Sequence, residues 1–134
     1  MIQKQKCLVI DIDGTLCPIK SASESYSSLI PYPEMIETIR RYREAGFYII
    51  LMTSRNMRTY EGNIGQILAN TAPVLYEWLQ RHDIPYDEIH FGKPWPGKGG
   101  FYVDDKAIRP SEFRSLNYEQ IQELLANEQV AVVA

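Results

Sequence analysis

Apolar residues fall along this chain in two kinds of run. Short unbroken runs, CLVI at 7–10 and FYIILMT at 47–53, alternate with stretches whose apolar residues recur every three or four positions. Continuous aliphatic and β-branched runs of that length predict strands buried on both faces. The wider spacing predicts helices. Pro33 opens the first, with a stripe of Met35, Ile36, Ile39 and Tyr42 and a stop at Gly46. Thr71-Ala72-Pro73 opens another, with Val74, Leu75, Trp78 and Leu79 on one face. Asn117 reads as an N-cap with Gln120 at the capping-box position, ahead of Ile121, Leu124 and Leu125 facing the core. DEIHF at 87–91 and FYV at 101–103 predict two more short strands. Residues 17–32, rich in Ser with Pro18 and Pro31, predict an irregular flap. Residues 56–70 predict a loop leading to a short helical turn, and 106–116 a loop. The tail VAVVA reads as an added edge strand or a frayed end.

Strands that alternate with helices imply a parallel sheet with right-handed crossovers. The expected fold class is therefore α/β, a Rossmann-like three-layer sandwich around a parallel sheet. At 134 residues the length fits a single domain, 1–134. The net charge of −3 gives no basic surplus, so nucleic acid is not an expected partner. Two cysteines, Cys7 in a core strand and Cys17 beside the acidic cluster, suggest no disulfide framework and favour a reduced, cytoplasmic setting. The N-terminal apolar run is too short for a signal peptide, and no stretch approaches a membrane span.

Each main polar cluster follows a strand, so all of them are expected at one edge of the sheet, where open α/β sheets place ligands. In the first, Asp11 and Asp13 point to the same side while Ile12 faces away. Two like charges that close repel, and a site that keeps both holds a cation or raises one pKa. A Ca²⁺ loop does not fit. It would want Gly at the sixth position and Glu at the twelfth, whereas Gly14 is fourth and Ala22 twelfth.

Four signals stand in order at strand ends: DIDGT at 11–15, TSR at 53–55, GKP at 92–94 and VDDK at 103–106. This order resembles the haloacid dehalogenase superfamily of Mg²⁺-dependent phosphatases. The runs SRNMRTYEGN at 54–63 and GKPWPGKGGFYVDDKAIRPSEF at 92–113 resemble the small capsule-biosynthesis phosphatases of bacteria. The gaps between motifs leave no room for a full cap domain, as in the capless class. An open site would suit a bulky sugar, polyol or glycan-precursor phosphate, unless a neighbouring subunit of a homo-oligomer supplies the lid.

The resemblance implies a role for each residue, and the chemistry of each side chain agrees. Asp11 is the nucleophile, forming an aspartyl-phosphate. Asp13 is the general acid and base. Mg²⁺ would be held by Asp11, the backbone carbonyl of Asp13, and Asp104, with Asp105 bound through water or orienting Asp104. Thr53 and Lys93 would hold the phosphoryl oxygens, helped by backbone N–H groups around Ile12 to Gly14. Ser54, Arg55, Arg58, Tyr60 and Trp95 are candidates for reading the leaving group, Arg55 and Arg58 because guanidinium binds anions in a fork.

Two readings from other classes compete. A phospho-receiver domain would place its acidic pair after the first strand and the phosphorylated Asp after the third, and here DxD comes first and DD last. A non-catalytic phosphate-binding scaffold of the same fold would have no need of a complete set of acids, and the set here is complete.

Overall fold

Three parallel strands carry the fold: β1 (Cys7–Asp11), β2 (Tyr48–Thr53) and β3 (Glu88–Phe91), hydrogen-bonded in that order. The computed structural model describes residues 6–133, with side chains described through Gln129. Asp11 lies opposite Met52 and Thr53 opposite Phe91, so the carboxyl ends of all three strands finish level. The residues up to Trp95 and those from Pro96 onward form two compact units.

In the first unit, the crossover from β1 to β2 contains the flap and α1 (Pro33–Glu44). Proline at the first turn costs α1 nothing, because that N–H has no helical partner anyway. Met35 and Ile39 are fully buried on its inner stripe. Gly46, at φ +101°, ends the helix in a conformation that side chains resist. The crossover from β2 to β3 contains α2 (Ile64–Asn70) and α3 (Ala72–Arg81). Asn63 caps α2 by accepting from the Gln66 amide at 3.1 Å. Ile67, Leu75, Trp78 and Leu79 are fully buried. At about 1.5–3 kcal/mol for each large side chain removed from water, these helices anchor the sheet. The far end of the sheet is tied by Asp87, which accepts from Arg43 and from the Ile49 amide, both at 2.8 Å.

The flap is less irregular than expected. A 3-10 turn at Tyr26–Ser28 lies against α3. Trp78 Nε1 donates to the Leu29 carbonyl at 2.8 Å, and Arg81 to the Ser27 carbonyl at 2.8 Å.

In the second unit, Asn117 caps α5 (Tyr118–Val133) with the expected box: Gln120 N donates to its side chain and Gln120 Oε1 accepts from its amide, both at 2.8 Å. Ile121 is buried, whereas Leu124 is exposed.

Four expectations are corrected. Residues 101–103 form no strand; they are irregular and exposed, Val103 at 87%. Three residues following Gly99 and Gly100 offer few ladder bonds against a costly backbone entropy. The segment 106–116 is not all loop, because Pro110 and the Glu112 side chain, which accepts from the Arg109 amide, start α4 (Pro110–Ser115). The tail continues α5 as helix through Val133 and is not a strand; Ala134 lies outside the described residues. Finally, β1 is not covered on both faces. Cys7 and Val9, on one face, are exposed, and Ile10, on the other, is buried.

Candidate active site

The level strand ends bring Asp11, Thr53 and the segment after β3 to one edge. Lys93 is held there by its backbone, whose N–H donates to the Thr53 carbonyl at 3.1 Å. Its Nζ lies 3.3 Å from Asp11 Oδ1, and both side chains are largely shielded from water. Burial pushes the Asp11 carboxyl above the ordinary carboxylate value, while the charge and hydrogen bond of Lys93 pull it back. A carboxylate held charged against its own desolvation is a group that gains from a nearby cation or from reaction at an electrophile.

Asp13 is placed differently. The chain leaves β1 through a tight turn in which Leu16 N donates to Ile12 O at 2.8 Å and Gly14 N to Cys17 O at 2.7 Å. Gly14 sits at φ +84°, in the left-handed region that favours glycine. The Gly14 N–H, which the sequence offered for a phosphate cradle, is spent inside the turn on the Cys17 carbonyl. Both oxygens of Asp13 accept from one guanidinium: Arg55 Nε to Oδ2 at 2.9 Å and Nη2 to Oδ1 at 3.0 Å. Arg55, expected to read the leaving group, is instead wholly shielded from solvent and turned inward.

Thr53 is buried, and its Oγ1 accepts from the Arg55 amide at 3.0 Å. That bond uses a lone pair and leaves the hydroxyl proton to donate elsewhere. Ser54 is half-buried and its carbonyl accepts from Met57 N at 3.1 Å. The following loop closes on itself through Tyr60 N to Asn56 O at 3.0 Å and Gly62 N to Met57 O at 2.9 Å. Thr71 Oγ1 donates to Asn56 Oδ1 at 2.6 Å and ties the loop to the start of α3. Arg58 Cζ stands 5.8 Å from the centre of the Trp95 ring, and both residues are exposed. Tyr60 is half-buried.

Residues 8–76 match the family described as haloacid dehalogenase-like hydrolase. The chain belongs to the haloacid dehalogenase-like hydrolases. This hydrolase is also similar to a crystal structure of a target protein from Vibrio cholerae, at 49% identity and TM-score 0.88, covering 92% of this chain and 99% of that one. It resembles more distantly the D,D-heptose 1,7-bisphosphate phosphatase of B. bronchiseptica, solved with magnesium and phosphate: 19% identity, TM-score 0.47, 71% of this chain and 54% of that one. No curated protein matches the chain.

Three residues of the hydrolase escaped the sequence reading. Tyr26 and Trp78 stand 4.3 Å and 5.7 Å from the Arg55 guanidinium carbon. Cys17 Sγ lies 3.7 Å from Asp13 Oδ1. Burial, reinforced by the Asp13 charge, pushes its thiol up to about 12, so it stays protonated at neutral pH. Cys17 is marked only by its place beside the acidic cluster, whereas Trp78 reads as an ordinary helix-stripe residue and Tyr26 as part of a Ser-rich loop.

Asp104 and Asp105 belong to the second unit. Asp104 Oδ1 accepts from the Lys106 amide at 3.1 Å, and Asp105 Oδ2 from Gln129 Nε2 at 2.7 Å. That bond from Gln129 is the main reason the Asp105 carboxyl is lowered. No group of three or more His, Cys, Asp or Glu side chains comes together among the described residues. None of the helices among the described residues is long and apolar enough to cross a membrane.

Proposed function

We propose that this hydrolase is a Mg²⁺-dependent phosphomonoester hydrolase that works through an aspartyl-phosphate. The observation that carries this reading is Asp11 itself: a largely shielded carboxylate at a strand end, its proton affinity raised by burial and opposed by Lys93. An oxygen of Asp11 attacks phosphorus and the bond from phosphorus to the ester oxygen breaks. Asp13 gives its proton to the departing alkoxide. Water then attacks the aspartyl-phosphate and passes a proton to Asp13, the bond to Asp11 breaks, and inorganic phosphate leaves. Lys93 and the Thr53 hydroxyl hold phosphoryl oxygens as charge develops.

The donor set suits a hard cation. By the family resemblance Asp13 would offer its backbone carbonyl, beside the carboxylate of Asp11, which leaves its side chain to Arg55 and to proton transfer. Asp104 is the third protein ligand in this proposal, with Asp105 behind it. When bound, Mg²⁺ offsets the repulsion between the Asp11 carboxylate and the phosphate dianion. The substrate is proposed to be a small sugar, polyol or glycan-precursor phosphate of capsule or surface polysaccharide synthesis, handled in the cytoplasm. Support comes from the sequence resemblance and from the Arg58–Trp95 pair, a cation over an aromatic ring on the segments bordering Lys93. Ser54 and Tyr60 flank Arg58 on the same loop.

The test is phosphate release from a panel of sugar, polyol and amino-alcohol phosphates, with Mg²⁺ and with EDTA. Acid-quenched, rapidly mixed enzyme should carry an acyl phosphate on the peptide containing Asp11. Asp11→Asn should lose both label and turnover. Turnover that survives EDTA removes the metal, and a fully active Asp11→Asn removes the nucleophile.

A further inference from the structure

We propose that Arg55 is the positioning residue for Asp13, and that the flap holds Arg55 in place through Tyr26. This rests on the phosphatase reading above and extends it to residues outside the motifs.

Arg55 is an expensive residue to keep where it is. Its side chain is wholly out of solvent, and its Nη1 is buried with no hydrogen-bond partner among the described residues. A buried ion pair contributes little net stability, and an unpaired buried N–H costs about 1–3 kcal/mol. Stability alone therefore gives a poor account of the arrangement. Geometry gives a better one. The planar guanidinium meets both oxygens of Asp13 in a fork, at 2.9 and 3.0 Å, which fixes the rotation of the carboxylate as well as its position. The fork itself is fixed on two further sides. The Arg55 amide is bound by Thr53 Oγ1, which sets where the side chain starts. The rings of Tyr26 and Trp78 face its far end at 4.3 and 5.7 Å. Tyr26 owes its place to α3, because Trp78 and Arg81 hold the carbonyls of Leu29 and Ser27. The chain thus runs from α3 through the flap to Arg55 and ends on the carboxylate that moves the proton.

Both displacements need that carboxylate aimed at a particular oxygen, first the leaving alkoxide and then water. A misplacement of about 1 Å at such a group costs on the order of 10²-fold in rate. Lysine in place of Arg55 would keep the charge and lose the fork.

The test separates positioning from folding by the leaving group. Nitrophenolate departs without being protonated, whereas glycerol needs the acid, and both phosphoenzymes need the base. With Mg²⁺ present, Arg55→Lys should release nitrophenolate from p-nitrophenyl phosphate in a burst stoichiometric with enzyme and larger than that of wild type. The steady rate that follows should be lower by about 10²-fold. Glycerol phosphate should lose at least as much rate and show no burst. Tyr26→Leu should reproduce the pattern with a smaller loss, and Tyr26→Phe, which keeps the ring, should restore most of it. If Arg55→Lys shows no cooperative unfolding transition, the two Tyr26 variants carry the same readout. An equal fold-loss on both esters without a burst, or wild-type rates on both, overturns the proposal. If wild type releases phosphate from neither ester, the phosphatase reading falls, and this inference with it.

Discussion

Asp13 takes its partner Arg55 from 42 residues away, and Asp11 faces a lysine that comes from beyond β3. Asp104 bonds the amide two residues on, and Asp105 a glutamine on the helix of its own unit. The same side chain is thus used in two ways on either side of Trp95. In the first unit Asp11 and Asp13 are partly buried, and folding of distant segments creates their surroundings. Burial raises the Asp11 carboxyl and leaves its charge in need of an electrophile or a cation. In the second unit the acids stand in water with local hydrogen bonds, and Asp105 is lowered. An acid that is comfortable as an anion makes a good ligand or cap, and one held charged at a cost makes a good nucleophile. The contrast supports the unequal roles proposed for Asp11 and Asp105.

The contrast can be broken most sharply at Asp104. If its role is to hold the cation, Asp104→Asn should lower kcat by about 10²-fold or more and raise the Mg²⁺ needed for half-maximal rate. Its melting temperature in EDTA should not move, since the Asp104 carboxyl bonds locally, to the Lys106 amide and to its neighbour Asp105. A lost melting transition with unchanged Mg²⁺ dependence would make Asp104 a local structural residue.

A smaller effect is expected at Trp78, where the first unit depends on a tertiary bond. Trp78→Phe removes the donor to the Leu29 carbonyl and leaves that acceptor buried. Denaturant unfolding should show a loss of about 1–3 kcal/mol. An unchanged midpoint would mean that the flap is not held by this bond.

The smallest effect is chemical. Cys7 is exposed and Cys17 buried with its thiol pushed up to about 12. At pH 8 a disulfide reagent should modify one thiol of the native protein and two after denaturation. A folded-state value above the ordinary 9.0 means that the proton is bound more tightly in the native chain. The stability it contributes is complete below about pH 9 and is lost as pH rises toward 12. Cys17→Ala should flatten that alkaline part of the stability curve. Rapid modification of Cys17 in the native state would contradict its burial.

Much of the first unit was legible because local signals agreed with the fold. The apolar run at 47–53, Pro33 and Gly46 each carry their own physical instruction, as does the Asn117–Gln120 box in the second unit. An unbroken apolar run does not show whether both of its faces meet a neighbour, so β1 was expected to be covered on both faces. The FYV segment has strand-like residues, yet pairing needs a partner as well as propensity. At the site, the family resemblance was legible in motif order. The partners of the acids were less legible. Arg55 looked like a substrate reader because its type suits anions, and only the fold reveals that its nearest anion is Asp13. Tyr26 and Trp78 carry no signature because a ring's use depends on what is laid against it.

The level strand ends also bear on how the protein comes into being. Parallel pairing makes every contact in the sheet non-local, so loop closure must precede any reward from the ladder. Asp11 leaves the ribosome early and Lys93 late. Until β3 has been made and docked, the nascent chain contains an acidic turn without its lysine. The Asp11 carboxylate therefore gains Lys93 only once the segment after β3 has been made.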